Sequence, residues 1–186
     1  QDLKRQAASI EDYLKGLQQR LVILPAGPAT LARVAQLHLR TNQFNLSMER
    51  FDEARLQAML DDSAHHLVLA GQAIDKFGDH GIVIAATVAI DDEAATILSF
   101  LMSCRVIGRQ VEDAFLGAIL DQLHQCGVRT VDVSYKATPK NGIARDFLER
   151  AHFDEVEMSG GITRWRQRDP DARRAASHFI AVQWSV

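Results

Sequence analysis

Cysteine is scarce in this chain, which contains only Cys104 and Cys126 among 186 residues. Two thiols are too few for a scaffold built on disulfides, so we expect free thiols in a reducing, cytoplasmic setting. Long apolar runs are also missing, because none approaches the ~18 residues of a membrane-spanning helix. Residues 1–20 are charged throughout, and no signal peptide is recognisable. These absences favour a globular domain that has no membrane as a partner.

The charge is nearly balanced, with 21 Lys and Arg against 24 Asp and Glu and a net charge of −3. This balance gives no general signal for nucleic acid or an anionic membrane, so we expect neither as a partner. His, Cys, Asp and Glu show no spacing typical of a metal-ligand set, and we expect no metal site. An apolar fraction of 47% and the length of 186 residues predict one domain with a full core.

Hydrophobic periodicity divides the chain into three parts. Residues 1–20 predict an amphipathic linker helix that docks on the body, residues 21–168 the main domain, and residues 169–186 a tail with a possible extra strand from Phe179 to Trp184. Within the main domain the patterns predict strands at 21–24, 66–74, 81–90, 94–103, 130–135, 153–158 and 162–168, and helices at 29–41, 52–60, 112–125 and 141–151. This order predicts an α+β fold with a mixed, mostly antiparallel sheet flanked by helices.

One stretch of the main domain carries the strongest chemical signal. An apolar strand leads to Cys104, a basic turn with Gly108 follows, and a helix begins near Glu112. A strand, a loop of backbone N–H groups and a helix N-terminus together form an anion site. A thiol at the mouth of such a site is a candidate nucleophile, although a cysteine that ends an apolar strand is more often buried packing. We expect Cys126, just before Gly127, to be structural.

The register of the predicted hairpin supplies a partner for this thiol. His80 and Cys104 each lie twelve residues from Asp92, so a simple hairpin centred there places them opposite each other. Their Cβ atoms would then be roughly 5 Å apart, unless a β-bulge shifts the pairing. The imidazole would take the proton and the thiolate would attack an acyl carbon. Asp79 or Asp75 would orient the imidazole, and the sequence does not choose between them.

Substrate-binding candidates come from two loops. Asn42, Phe44 and Asn45 form a polar, aromatic-centred loop after the first helix of the main domain, and Asn141 opens a later helix. Asparagine amides can hydrogen-bond a hydroxyacyl group or an oxyanion. They also satisfy the backbone of their own loop well, and both interpretations stay open.

The element order resembles that of the GNAT acyltransferase fold. In that fold the fourth strand is followed by a turn, roughly [Q/R]-x-x-G-x-[G/A], that binds the pyrophosphate and pantetheine of acyl-CoA. Residues 105–110 match the first four positions and depart at Gln110, where the family has a small residue. The resemblance implies that a phosphopantetheine arm is bound by Arg105, Val106, Ile107, Gly108 and Arg109. The departure at Gln110 argues against ordinary CoA binding.

Longer strings resemble the C-terminal half of FkbH-like glyceryl transferase/phosphatases of polyketide biosynthesis. The strings are TNQFNL at 41–46, KFGDHG at 76–81, FLMSCRVIGR at 100–109, TPKN at 138–141, and DFLE at 146–149 followed by Phe153. The resemblance covers about residues 20–168. It implies that a glyceryl unit, or a related one such as lactyl, is held on Cys104 as a thioester and passed to the phosphopantetheine thiol of an acyl carrier protein.

The same resemblance implies partners outside this chain. A phosphatase-like domain of the haloacid dehalogenase type, N-terminal in the full-length protein, would process the donor; its Asp-x-Asp-x-Thr motif does not occur here. The domain itself would hold no cofactor, and the carrier arm, or CoA, would be the acceptor. Two other functions fit the same residues: a conventional CoA-dependent N-acetyltransferase, and a non-catalytic module that docks a carrier protein. Lys136, Lys140 and Arg145 would suit an acidic carrier.

Overall fold

The computed structural model describes residues 10–167 and 179–185. Its helices are α1 (Ile10–Leu17), α2 (Leu31–Arg40), α3 (Glu53–Asp61), α4 (Val111–Gln125) and α5 (Gly142–Arg150), and a 3₁₀ helix spans Cys104–Val106. Its strands are β1 (Gln19–Pro25), β2 (Phe44–Asn45), β3 (His66–Asp75), β4 (Gly78–Asp91), β5 (Ala94–Met102), β6 (Thr130–Tyr135), β7 (Phe153–Ser159), β8 (Ile162–Gln167) and β9 (Ile180–Trp184).

All of these strands join one sheet in the order β7-β8-β6-β5-β4-β3-β1-β9, and β2 pairs with β5 beside this path. The pairs β5–β6 and β1–β9 are parallel, and the other pairs are antiparallel. The predicted α+β class with a mixed, mostly antiparallel sheet is therefore confirmed.

The two faces of the sheet bury different helices because successive strand residues point to opposite sides. On β5, Leu101 packs with α2 and α3, whereas Phe100 and Met102 pack in the cluster that contains α4 and α5. Phe100 and Phe147 stack with ring centroids 5.4 Å apart. The end of β5 is thus held from both faces, which gives the segment that follows it a rigid base.

Most predicted elements agree with the structure to within a few residues, including the capping of α3, where Asp52 accepts a hydrogen bond from the Arg55 N–H at 2.8 Å. The described part of the predicted linker helix ends at Leu17, because Gln18 has φ 53° and β1 begins at Gln19. Strand β2 was not predicted. The predicted last strand agrees with β9, while residues 1–9 of the linker, residue 168 of the main domain, and residues 169–178 and 186 of the tail lie outside the described residues.

Candidate functional site

The candidate nucleophile lies at the end of β5. The strand stops at Met102, the Ser103 N–H donates to the Val83 carbonyl at 2.7 Å, and the chain then turns into the 3₁₀ helix. The Cys104 side chain is exposed as a free thiol. The expectation that a cysteine in this position is buried packing therefore does not apply to Cys104, and its sulfur is open to a reagent.

Cys104 lines a cavity of about 560 Å³ between α2, the segment after it and the end of β5. The lining includes three arginines, and it includes no aspartate or glutamate. It consists of Arg33, Gln36, Leu37, Arg40, Thr41, Asn42, Gln43, Phe44, Met102, Ser103, Cys104 and Arg105. The cavity therefore combines a nucleophilic sulfur with a positively charged wall.

The three arginines are held to different degrees. Nε and Nη2 of Arg33 both donate to the Ile82 carbonyl at 3.2 Å, and Nη1 donates to the Gln36 side chain. Arg105 reaches the Ser103 hydroxyl and the His80 carbonyl, each at 3.4 Å, while Arg40 is exposed. Partial burial, followed by the charges of Arg105 and Arg40, lowers the pKa of Arg33 from its ordinary value. The guanidinium groups are therefore near enough to repel one another.

Strand β2 closes the opening between β5 and β6. These parallel strands pair only from Ala94–Thr130 to Ile97–Val133, and β2 then covers the free edge of β5. Its hydrogen bonds reach both strands: β2 pairs Phe44 with Met102 and Asn45 with Leu101, the Leu46 N–H donates to the Phe100 carbonyl at 3.1 Å, and the Lys136 N–H donates to the Leu46 carbonyl at 2.8 Å. An extended arm with amide groups cannot pair with this part of β5, because the chain itself already does so.

Two of the predicted substrate-binding residues are structural. Asn141 is fully buried; its amide donates to the carbonyls of Asn45 and Lys136 at 3.0 and 2.9 Å, and its oxygen accepts from the Thr138 N–H at 2.8 Å. Asn45 is also fully buried and bonds the backbone of its own loop through the Met48 N–H at 3.0 Å. Both amides are used up by backbone groups, so the prediction that they bind substrate was wrong.

The other two candidates of that group line the cavity. Phe44 is buried, packs its ring 5.3 Å from the Phe147 ring and is the aromatic residue among the lining of the cavity. Asn42 is exposed, and its side-chain oxygen accepts a hydrogen bond from Arg50 at 2.7 Å. That hydrogen bond uses only the oxygen, so the Asn42 amide nitrogen can donate to a ligand.

The prediction that His80 faces Cys104 was wrong. The turn consists of Asp92 and Glu93, since Asp91 pairs with Ala94, and the register shifts again between Thr87 and Val88. The ladder of β4 and β5 ends where Ile84 meets Met102, before either predicted partner is reached. A bulge in the β3–β4 pair turns His80 toward Asp75 instead.

His80 belongs to a cluster with Asp75 and Arg109. The Asp75 Oδ2 atom lies 2.8 Å from His80 Nε2 and accepts a hydrogen bond from Arg109 Nη1 at 2.6 Å. Asp79, the other candidate for orienting His80, instead accepts from Gln72 at 2.6 Å and from the Gly81 N–H at 2.7 Å. The carboxylate that orients His80 is therefore Asp75.

The residues of the predicted phosphopantetheine turn lie in different environments. Val106 is fully buried in the core, whereas Ile107 is 37% exposed and Gly108 has φ +82°. Arg109 is bound to Asp75, so its charge is already paired. Of the predicted group, only Arg105 lines the cavity that contains Cys104.

Two carboxylates lie at the N-terminus of α4, where the sequence pattern predicted an anion site. Glu112 and Asp113 belong to the first turn of this helix, and both contact Arg150, at 3.3 and 3.4 Å. Burial raises the pKa of Glu112 to about 7, and burial also raises the pKa of Asp113. Two acidic side chains therefore lie in the first turn of the helix, where they weaken its attraction for a phosphate.

Sequence reasoning missed Arg33 and Arg40 on α2. Together with Gln36 and Leu37 they recur at helical spacing, which places four consecutive contacts of this helix on the cavity. That spacing was a detectable signal, but two arginines on a surface helix are ordinarily solvated. Their significance depends on Cys104 and Arg105, which come from a distant part of the chain.

Among the described helices, none is long and apolar enough to cross a membrane.

Solved structures resemble this fold over most of the chain. The PaiA N-acetyltransferase of Thermoplasma acidophilum in complex with coenzyme A matches with a TM-score of 0.65 and 10% identity, covering 80% of this chain and 99% of that one. The ribosomal-protein-S18-alanine N-acetyltransferase of Escherichia coli matches with a TM-score of 0.59 and 15% identity, covering 78% and 90%. The spermidine N-acetyltransferase of Vibrio cholerae with CoA and spermine matches with a TM-score of 0.59 and 12% identity, covering 81% and 98%.

At these identities the likeness defines the fold alone, and that fold is the GNAT fold expected from the element order. Comparison with protein-family models and with curated proteins gave no match. The GNAT-like architecture is therefore confirmed, while the narrower FkbH-like resemblance stays a prediction.

Proposed function

We propose that this domain is an acyltransferase that accepts a glyceryl or similar 2-hydroxyacyl group on Cys104 and passes it to the phosphopantetheine thiol of an acyl carrier protein. The observation that carries this proposal is the exposed Cys104 thiol in a cavity with a positively charged wall. The string around Cys104, which resembles FkbH-like proteins, supports the choice of acyl group and acceptor. A phosphatase-like domain outside this chain would process the donor.

The proposed reaction is two successive acyl transfers. The Cys104 thiolate attacks the acyl carbon, a C–S bond forms, and the donor's leaving group departs with the electrons of its own bond. The thiolate of the carrier arm then attacks the enzyme thioester, and Cys104 leaves as a thiolate. Because one thioester replaces another in the second step, the domain has to supply positioning and stabilisation of the oxyanion.

The cavity offers groups for that stabilisation. Arg105 follows Cys104 directly and lines the same cavity, so its guanidinium can face the negative oxygen of a tetrahedral intermediate. The Asn42 amide is a neutral donor for the same oxygen or for the hydroxyl group of the acyl unit. The proton of the exposed Cys104 thiol passes to solvent, since His80 bonds Asp75 rather than the sulfur.

A carrier arm fits the surroundings of Cys104 better than coenzyme A does. In the GNAT pattern the turn before α4 takes the pyrophosphate, and here that turn ends at Gln110, which has φ 62°, while Glu112 and Asp113 lie in the first turn of the helix. Two carboxylates and a large side chain disfavour a pyrophosphate in that place. A carrier arm has a single phosphate and can enter the cavity from its open side.

The second candidate is a CoA-dependent N-acetyltransferase with direct transfer. It is favoured by the solved structures of this fold that hold coenzyme A. Acetyl-CoA binding, together with acetyl transfer that survives Cys104→Ala, would establish this function in place of the thioester route.

Intact-protein mass spectrometry tests the proposal. The wild type, Cys104→Ala and the matched control Cys126→Ala are each incubated with a glyceryl thioester of N-acetylcysteamine, which needs no donor-processing domain. We expect a glyceryl adduct on the wild type and on Cys126→Ala, and none on Cys104→Ala. Addition of a carrier protein with its arm should then remove the adduct, and the same carrier without the arm should not. An adduct on all three proteins, or on none, would refute the thioester.

A further inference from the structure

The cavity beside Cys104 carries more positive charge than a neutral hydroxyacyl group needs. Arg33, Arg40 and Arg105 come from two separate parts of the chain and line it together, with no acidic side chain among the lining residues. The charges of Arg40 and Arg105 contribute to lowering the pKa of Arg33. Three mutually repelling cations around one space are stabilised when an anion enters it.

The two features that the GNAT pattern assigns to phosphate are neutralised in this chain. Arg109 is paired at 2.6 Å with the buried Asp75. The N-terminus of α4 carries Glu112 and Asp113, whose carboxylates have Arg150 as their cation. Among the described residues, Arg33, Arg40 and Arg105 have no ion-pair partner, so an anionic group that reaches this end of the sheet is attracted to the cavity rather than to the helix.

We propose that the cavity binds a phosphate ester through Arg33, Arg40 and Arg105, so that phosphate recognition has moved from the turn before α4 to helix α2. This inference rests on the proposed function, because it assigns a ligand class to the same cavity. A phosphate ester suits guanidinium groups better than a carboxylate does: a monoester brings up to two charges and three terminal oxygens, and the diester of a carrier arm brings one charge on a tetrahedral group. Ser103 and Asn42 add neutral hydrogen-bonding groups.

The orientation of Arg33 supports this assignment. Its Nε and Nη2 are fixed on the Ile82 carbonyl, so the guanidinium is held in place before a ligand arrives. Arg40 and Arg105 are exposed and can close on the anion. A volume of about 560 Å³ also leaves room for the group that the phosphate carries, next to the Cys104 sulfur.

The phosphate can come from the acyl donor or from the carrier arm, and one experiment separates these sources. The probes are two pairs that differ only in the phosphate group: 3-phosphoglycerate with glycerate, and S-methyl phosphopantetheine as its methyl phosphodiester with S-methyl pantetheine. The readout is the rate at which iodoacetamide alkylates Cys104, measured by peptide mass spectrometry. Cys126, exposed and outside the cavity, is the internal reference in every sample.

We expect the phosphorylated member of at least one pair to protect Cys104 at a concentration about tenfold lower than its partner needs, since hydrogen bonds to a charged group contribute that much. The pair that shows this difference identifies the source. Arg40→Gln should abolish the difference, and Arg129→Gln, an exposed arginine outside the cavity, should keep it.

Equal protection by both members of both pairs would overturn the phosphate site, as would a difference that survives in Arg40→Gln. The alkylation assay involves no acyl transfer, and the mass-spectrometric assay with glyceryl N-acetylcysteamine involves no phosphate. Failure of the phosphate site and failure of the Cys104 thioester are therefore distinguishable.

Discussion

Arg109 donates a hydrogen bond to the Asp75 carboxylate across 2.6 Å and thereby ties the turn before α4 to the end of β3. The Asp75 side chain is 1% exposed, and its Oδ2 atom also lies 2.8 Å from His80 Nε2. The Arg109 carbonyl accepts from the Gln19 amide at 3.1 Å. These contacts anchor a turn that directly follows the Cys104 segment, so the cluster positions the site without touching the sulfur.

Replacing Asp75 with Asn should destabilise the domain. The variant leaves Arg109 without its anion in a largely buried place, which typically costs about 3 kcal/mol. Urea denaturation should therefore show a free energy of unfolding lower by about that amount. Asp79→Asn is the matched control, because Asp79 lies on the same turn but bonds only Gln72 and the Gly81 N–H. Equal losses in both variants would contradict the role given to Asp75.

The same carboxylate should determine part of the acid sensitivity. Burial alone would raise the pKa of Asp75, but hydrogen bonds from His80 and the Phe77 N–H, with the charges of His80 and Arg109, lower it below 3.8. Its stabilising contribution is thus present above pH ~4 and is lost as the pH falls through the lowered pKa. The difference in unfolding free energy between wild type and Asp75→Asn should shrink from pH 6 to pH 3. A constant difference would exclude this titration.

Glu112 should act on stability with the opposite sign. Burial raises its pKa to about 7, so between pH ~4.5 and 7 the folded state binds more protons than the unfolded chain and stability falls as the pH rises. Glu112→Gln removes this effect. Between pH 5 and pH 8 the unfolding free energy of the wild type should therefore fall by up to about 3 kcal/mol more than that of the variant. Glu149→Gln, on the exposed side of α5, should show no such pH-dependent gain. Thermal unfolding at the two pH values measures both.

Gly71 should not tolerate a side chain. A Cβ atom at this position would overlap the Ile84 side chain and press on Leu21 and Phe115, at the crossing of β3 and α4. Gly71→Ala should therefore lower the free energy of unfolding by about 1–3 kcal/mol. Gly142→Ala is the control, because nothing lies within 4 Å of the added atom and alanine favours the helix that begins there. Similar stability of the two variants would contradict the packing described for Gly71.

Substitution of Asn141 should lower stability, whereas substitution of Asn42 should slow the reaction at Cys104. Asn141→Ala leaves the Asn45 and Lys136 carbonyls without their side-chain donor, and we expect a loss of about 2–4 kcal/mol in unfolding free energy. Asn42→Ala, on the exposed wall of the cavity, should keep its stability and instead slow acylation of Cys104. Denaturation measures stability, and the rate of glyceryl adduct formation measures acylation. A stable Asn141→Ala variant together with an unstable Asn42→Ala variant would refute the roles given to these two residues.

Much of the fold was predictable because periodicity reports which face of an element is buried. The alternation in 130–135 and the helical spacing in 112–125 gave β6 and α4 within one residue of their bounds. Two residues of β2 are too few to show any period, so this strand was seen only as a loop. Cys104 was identified by its local context, a strand followed by a glycine-containing turn and a helix.

The neighbours of Cys104 could not be predicted from the sequence, because they depend on contacts between distant residues. The turn at Asp92 and Glu93 and the shift between Thr87 and Val88 together move His80 out of register with Cys104, and sequence patterns do not reveal where a ladder absorbs an extra residue. The approach of Arg33 and Arg40 to Arg105 requires α2 to pack beside the end of β5. The sequence by itself determined most elements and pointed to Cys104 as the candidate nucleophile; the tertiary structure alone decided register and neighbours, since both come from long-range packing.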